Sequence, residues 1–161
     1  MYFHIYFNNN KEEIKRNYLE ENEQINSIKI IIDYPIKSFK YLFQECDCIE
    51  SINFKKFYRK NIENLYCMFY NCSSLKELNL SNFHTDSVTN MSFMFYRCFS
   101  LKEINLSNFN TNNVTSMNRM FGKCSKELKK KIRAKYNNIK EEAYGDLFEY
   151  WLNNFNNILY P

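Results

Sequence analysis

The chain of 161 residues is long enough to bury one hydrophobic core, and its length fits a single domain. Its 45% hydrophobic and 18% aromatic content excludes a disordered chain, and its net charge of +4 is too small to indicate nucleic-acid or membrane binding. Only two glycines and two prolines occur, which argues against a phosphate-cradling loop, and no apolar run approaches the roughly 20 residues needed to span a bilayer.

Residues 1–24 are predicted to form an N-terminal cap. Phe3, Ile5 and Phe7 alternate with polar or amphipathic residues, which indicates a short strand with one apolar face. Residues 11–21 are charged with few apolar positions, which favours a surface helix or loop. The N-terminus lacks the basic leader and the small-residue cleavage site of a secretory signal, so we expect a cytoplasmic protein.

A repeat follows this cap. Residues 75–98 contain Leu-Lys-Glu-Leu-Asn-Leu-Ser-Asn-Phe, then Val-Thr-Asn-Met, then Met-Phe-Tyr-Arg-Cys, and residues 101–124 repeat this pattern almost unchanged, 26 positions later. Looser copies begin at Ile25 and Ile49, so four copies of about 26 residues occupy residues 25–124. Fixed self-similarity at such a period is typical of a solenoid.

Each copy changes its hydrophobic period halfway along. The last two anchors of its Leu-x-x-Leu-x-Leu template alternate with polar residues, which indicates a short strand. The second half has helical spacing, with Val88, Phe95 and Cys98 on one face, which indicates a short helix facing the core. The sequence therefore predicts an α/β fold, a short leucine-rich-repeat-type solenoid with a parallel sheet on one face, short helices on the other, and a helical C-terminal cap.

Two helices are predicted in the C-terminal cap, residues 125–161. The first opens with a capping serine and places Leu128, Ile132 and Tyr136 on one stripe. Its basic residues are interpreted as a solvated face, so no nucleic-acid partner is expected. The second, at residues 146–159, has apolar residues at helical spacing, and an amphipathic docking segment is the alternative interpretation.

In residues 74–98 the chain resembles the BspA-like leucine-rich-repeat surface protein family. The leucine spacing, the Val-Thr-x-Met element and the Met-Phe-x-x-Cys element recur in phase in the third and fourth copies, and the copies that begin at Ile25 and Ile49 follow the pattern more loosely. The resemblance implies a non-enzymatic leucine-rich-repeat solenoid used for adhesion or protein binding. Bacterial members are often secreted or surface-anchored, so a secreted or surface-exposed adhesin-like protein is the alternative to a cytoplasmic one.

The six cysteines are candidate metal ligands or reactive thiols. One cysteine per copy recurs at the repeat period, which is not a chelate spacing, so we expect this row to pack in the core. Cys48 and Cys67 fall outside the row and are predicted to be accessible thiols, and a thiol- or metal-dependent function of these two is a second alternative. The row consists of Cys46, Cys72, Cys98 and Cys124.

Catalysis finds little support in the residue patterns. His4 and His84 are the only histidines, and neither has a nucleophile motif nearby. The chain is therefore predicted not to be an enzyme, and no cofactor or metal is expected.

The polar residues between the strand anchors are the candidate binding surface, because they project from the open face of the predicted sheet. Asparagine recurs at one of these positions, where it either contacts a partner or bonds along the stack. We interpret the chain as a protein–protein interaction module whose partner is a protein; its oligomeric state is left open. The candidate contact residues are Ser51, Asn53, Glu77, Asn79, Ser81, Glu103, Asn105 and Ser107.

Overall fold

The computed structural model describes residues 3–8, 10–15, 20, 22–25, 27–54 and 59–145. The chain divides into two compact units, Met1–Ile36 and Lys37–Pro161. The helix predicted at residues 146–159 lies outside the described residues, as do residues 16–19 of the predicted surface helix or loop. The elements in chain order are β1 (Phe3–Phe7), β2 (Ile28–Ile32), β3 (Ser51–Asn53), β4 (Glu77–Asn79), the helix α1 (Lys126–Lys135) and a 3-10 turn at Glu141–Ala143.

The first unit contains an antiparallel ribbon formed by β1 and β2, with Ile5 opposite Ile30. The strand predicted near the N-terminus is thus confirmed. Because β2 pairs with β1, it does not form the first strand of a parallel sheet. Ile28 and Ile30, expected to face the core, are 47% and 40% exposed.

The second unit contains a parallel pair, β3 and β4, and the predicted leucine-rich-repeat solenoid is wrong. The described residues form two separate two-stranded sheets and one α-helix, not a helix-capped solenoid with an extended parallel sheet and a row of short helices. Residues 101–106, expected as the last strand, form none. Here the Leu106 N–H donates to the Tyr136 hydroxyl at 3.0 Å, so it bonds to a side chain instead of a strand.

Tandem turns replace the predicted short helices. In each of them every second N–H donates to a carbonyl three residues back, as Cys72 N does to Phe69 O at 3.2 Å. In the first three segments the N–H groups between them donate to carbonyls 25 residues later, as Phe69 N does to Met94 O at 2.9 Å. An α-helix would use these donors for its own carbonyls, so bonding between copies excludes it. These turn segments are residues 39–46, 65–72, 91–98 and 117–124.

The bonds between copies are regular. At each of the three junctions between turn segments, four backbone bonds of 2.8–3.1 Å join one segment to the next. Isolated parallel bridges lie beside them, such as that between Asn64 and Asn90. Successive copies of the sequence repeat are therefore held in register over the turn segments.

Each turn segment has left-handed backbone at two positions four residues apart. The φ angles are 53° and 60° at Cys67 and Asn71, and 57° and 63° at Phe93 and Arg97. This conformation costs a non-glycine residue about 1–2 kcal/mol. The same four residues donate bonds to the next segment, and those bonds offset the cost.

The core of the second unit is a column of aromatic rings, one from each turn segment. The rings of Phe69 and Phe95 are stacked with centroids 5.5 Å apart and planes within 4°, and Phe121 continues the column at 5.3 Å from Phe95. All three are fully buried. The methionines that precede these phenylalanines in the Met-Phe-x-x-Cys elements, Met68, Met94 and Met120, are also fully buried.

Substitution of Arg97 tests the cost of the left-handed backbone. Arg97 is exposed with φ 63°, so Arg97→Gly is expected to be more stable than Arg97→Ala by about 1 kcal/mol, because both variants lack the side chain but only glycine relieves the backbone. Urea denaturation measures the two free energies of unfolding. A glycine variant no more stable than the alanine variant would contradict the assignment.

His4 on β1 lies between two carboxylates of the first unit. Its Nδ1 is 3.0 Å from Glu13 Oε1, and its Nε2 is 3.1 Å from Asp33 Oδ2. The hydrogen bond with Glu13, followed by that with Asp33, raises the pKa of His4 above its ordinary value of 6.5 against the effect of desolvation. Protonated His4 therefore links β1 to the residues that follow both strands.

This linkage predicts a pH dependence for the ribbon. Because the folded pKa of His4 is raised, its stabilising contribution is fully present below pH 6.5 and is lost as the pH rises through the folded pKa. Amide hydrogen exchange in β1 and β2, corrected for intrinsic rates, is expected to be slower at about pH 5.5 than at about pH 8. His4→Gln should abolish the difference. Equal protection of the unmodified chain at both pH values would rule the linkage out.

Candidate functional site

The predicted binding residues lie on and beside β3 and β4. Ser51 pairs with Glu77 and Asn53 with Asn79 across the parallel ladder, so the structure brings these four together. They alternate with inward residues such as Leu78, which is 7% exposed. Seven of the eight predicted residues are exposed and Ser81 is half-buried; the exposed ones are Ser51, Asn53, Glu77, Asn79, Glu103, Asn105 and Ser107, here called the strand face.

The asparagines of the strand face accept bonds from their own chain. Asn79 Oδ1 accepts the Ser81 N–H at 3.0 Å, and Asn105 Oδ1 accepts the Ser107 N–H at 3.0 Å. Such turns are a common use of asparagine where a strand ends. They hold the two side chains in one orientation, which reduces the entropy lost when a partner binds.

The helix α1 borders the strand face. Its N-terminus is capped by Ser125, whose Oγ accepts the Leu128 N–H at 3.1 Å, and Leu128 and Ile132 are buried. The predicted helix, its capping serine and its apolar stripe are confirmed for these residues. Tyr136, just after α1, bonds to the Leu106 N–H and fixes the end of the helix on the fourth copy of the repeat.

The segment after α1 bonds to the last turn segment. The Phe121 N–H donates to Ala143 O at 2.8 Å, and the ring of Tyr144 stacks on that of Phe121 with centroids 6.0 Å apart. Asn138 Nδ2 donates to Phe109 O at 2.9 Å. An irregular segment thus occupies the bonding position that a further copy of the repeat would take.

A cleft of about 720 Å³ lies between the strand face and α1. Apolar atoms at its base come from both sides, from Leu78 and Ile104 and from Leu128 and Ile132. Its rim is polar. On the strand side it carries Lys76, Glu77, Asn79, Glu103 and Asn105, and on the helix side Lys131, Lys135 and the hydroxyl-bearing Tyr136.

The lysines of α1 are the part of this site that sequence reasoning missed. Lys131 and Lys135 line the cleft, although the basic run was interpreted as a solvated face. The available signal was their spacing of four residues, which puts both on one face of a helix. The pattern alone did not indicate that this face borders the strand residues.

The repeated cysteines form thiol–carbonyl hydrogen bonds between copies. Cys98 Sγ donates to Phe69 O at 3.1 Å, and Cys124 Sγ donates to Phe95 O at 3.0 Å. Burial raises the pKa of the Cys72 thiol to about 12 and that of Cys98 well above its ordinary value. For Cys72, Cys98 and Cys124 the predicted packing in the core is confirmed, whereas Cys46 is only half-buried.

The two cysteines outside the row differ from each other. Cys48 is exposed, as predicted, but Cys67 is buried with 5% exposure, so its predicted accessibility is wrong. The expectation rested on its position outside the repeated row, and the left-handed backbone at Cys67 departs from the helical phase predicted for this segment. Among the described residues, no group of three or more His, Cys, Asp or Glu side chains could hold a metal ion.

Thiol labelling tests this arrangement. In the native protein at neutral pH, a thiol reagent is expected to modify Cys48 first, because the buried thiols are shielded and burial raises their pKa. The kinetics follow from released chromophore, and peptide mass spectrometry identifies the modified residue. Cys48→Ser should remove the fast phase, whereas fast labelling of Cys67 would contradict the structure.

Among the described residues, no helix is both long enough and apolar enough to span a bilayer.

Comparison with known proteins places this repeat within one family. Residues 37–159 match the family DUF285, described as Mycoplasma protein of unknown function. The match covers more than half of the chain, so the chain belongs to this family. No curated protein and no solved structure matches the chain.

Proposed function

We propose that this protein is a non-enzymatic protein–protein interaction module that binds its partner at the strand face and the adjoining cleft. The observation that carries the proposal is a continuous exposed polar surface on β3, β4 and the fourth copy, next to a cleft of about 720 Å³. Clefts with an apolar base and a polar rim are preferred binding sites.

The packing beneath this surface supports the proposal. Leu78 and Ile104 are 7% and 8% exposed below the strand face, and the asparagines above them are fixed by their own turns. A surface held by a packed core and local hydrogen bonds needs little reorganisation on binding. Such a surface recognises a partner by shape and by hydrogen bonds.

Beyond membership of the family DUF285, the residue pattern of the repeat supports a relationship to BspA-like leucine-rich-repeat surface proteins. That relationship favours a second candidate, a secreted or surface-exposed adhesin-like protein that uses the same surface. The six free cysteines favour a reducing compartment, and for this reason we place the cytoplasmic location first. Labelling of intact cells with a membrane-impermeant biotin reagent separates the two locations.

Affinity capture from the protein's own cells tests the proposed surface. The double variant Asn79→Lys plus Asn105→Lys is expected to lose at least one partner that the unmodified chain captures, because two lysines protrude from the strand face. The matched control is Asn61→Lys plus Asn137→Lys, which adds the same charge at exposed asparagines outside that face. Mass spectrometry compares the captured proteins.

Equal thermal unfolding of the two double variants shows that a loss is not due to misfolding. Retention of every partner by the Asn79→Lys plus Asn105→Lys variant would refute the strand face as the contact surface.

A further inference from the structure

The two sides of the cleft carry opposite charges. Glu77 and Glu103 line it from the strand side, one copy of the repeat apart, and Lys131 and Lys135 line it from α1, one helical turn apart. All four residues are exposed. Lys76 also lines the strand side, but its charge is paired with Glu50 Oε1 at 2.7 Å, whereas over the described part of the chain none of the four takes part in an ion pair.

An occupant that satisfies both sides must itself present opposite charges in two directions. A uniformly acidic ligand would pair with Lys131 and Lys135 but would be repelled by Glu77 and Glu103. A uniformly basic ligand would have the reverse problem. The charge pattern therefore selects a ligand that has positive groups toward the strand side and negative groups toward α1.

An extended peptide meets this requirement when its charges alternate in sign. Successive side chains of a strand point in opposite directions, so alternating basic and acidic residues place all positive groups on one side and all negative groups on the other. Residues of one sign then recur about every 6.7 Å, close to the spacing of side chains one helical turn apart. Its backbone would lie over Leu78 and Ile132 at the base of the cleft.

We propose that the cleft between the strand face and α1 binds an extended peptide segment of a partner protein in which Lys or Arg alternates with Glu or Asp. This inference rests on the proposed function and specifies the partner segment. Glu77 and Glu103 bind the basic side chains, and Lys131 and Lys135 bind the acidic ones.

Fluorescence anisotropy with synthetic peptides tests the proposal on the full chain. The probe is a short peptide of alternating Lys and Glu, and its comparison peptide has the same composition with all Lys preceding all Glu. The alternating peptide is expected to bind about tenfold more tightly, because several exposed ion pairs, each weak by itself, form together. Oligoglutamate is the third probe. Equal binding of the two mixed peptides, or tighter binding of oligoglutamate, would overturn the proposal.

Charge reversal on one side of the cleft tests the assignment of residues. Lys131→Glu plus Lys135→Glu makes both sides acidic and should weaken binding of the alternating peptide about tenfold. The matched control, Lys126→Glu plus Lys130→Glu, makes the same change in net charge on exposed residues of α1 outside the cleft lining, and it should change the affinity less than about twofold.

Reversal on both sides gives the sharpest outcome. When Glu77→Lys and Glu103→Lys are added to Lys131→Glu and Lys135→Glu, an alternating peptide regains both sets of pairs by shifting one residue. Binding should return to within about threefold of the unmodified chain. A fourfold variant that binds as weakly as the one-sided variant would overturn the proposal.

The peptide and capture experiments can fail separately. If no alternating peptide binds but Asn79→Lys plus Asn105→Lys still abolishes partner capture, the interaction function stands and the peptide assignment falls. If the peptide binds as expected but capture is unaffected by those asparagine substitutions, the peptide assignment stands and the wider strand face is not the contact surface.

Discussion

Hydrogen bonds between residues 25 positions apart set the register between successive copies in the second unit. Alternate N–H groups of a turn segment donate to the next copy, so they cannot form the hydrogen bonds of an α-helix. The backbone adopts a left-handed conformation at positions such as Cys67 and Asn71. The same register aligns Phe69 with Phe95 in the aromatic column. The column and the turn segments therefore share one cause.

Sequence periodicity identified the inward residues better than it identified the backbone. Phe95 and Cys98 are inside, as their spacing indicated, but a spacing of three or four residues suits tandem turns as well as a helix. A helix and tandem turns differ in which carbonyls accept the N–H groups, and in this chain the accepting carbonyls of alternate N–H groups lie 25 residues away. A local pattern carries no record of that neighbour, and for this reason the predicted short helices are wrong.

Long-range contacts likewise decided the extent of the sheet and the composition of the site. Strand alternation correctly placed Leu78 inside and Asn79 outside, and the Ser125 cap located the start of α1. The bond from the Leu106 N–H to Tyr136 was not visible in the sequence, and it both replaces a strand bond and brings α1 beside the strand face. Glu77 and Glu103 of the cleft rim could be predicted from the repeat, whereas Lys131 and Lys135 belong to the rim because α1 docks beside the strand face.

The near identity of successive junctions has a consequence for how such a chain can change in length. Cys98 and Cys124 make the same thiol–carbonyl bond, and the aromatic spacing differs by only 0.2 Å between the two junctions, 5.5 Å against 5.3 Å. Duplication or loss of one whole copy in the gene therefore recreates a junction of the same kind. A change of any other length breaks the register, so relatives are expected to differ in length by whole copies.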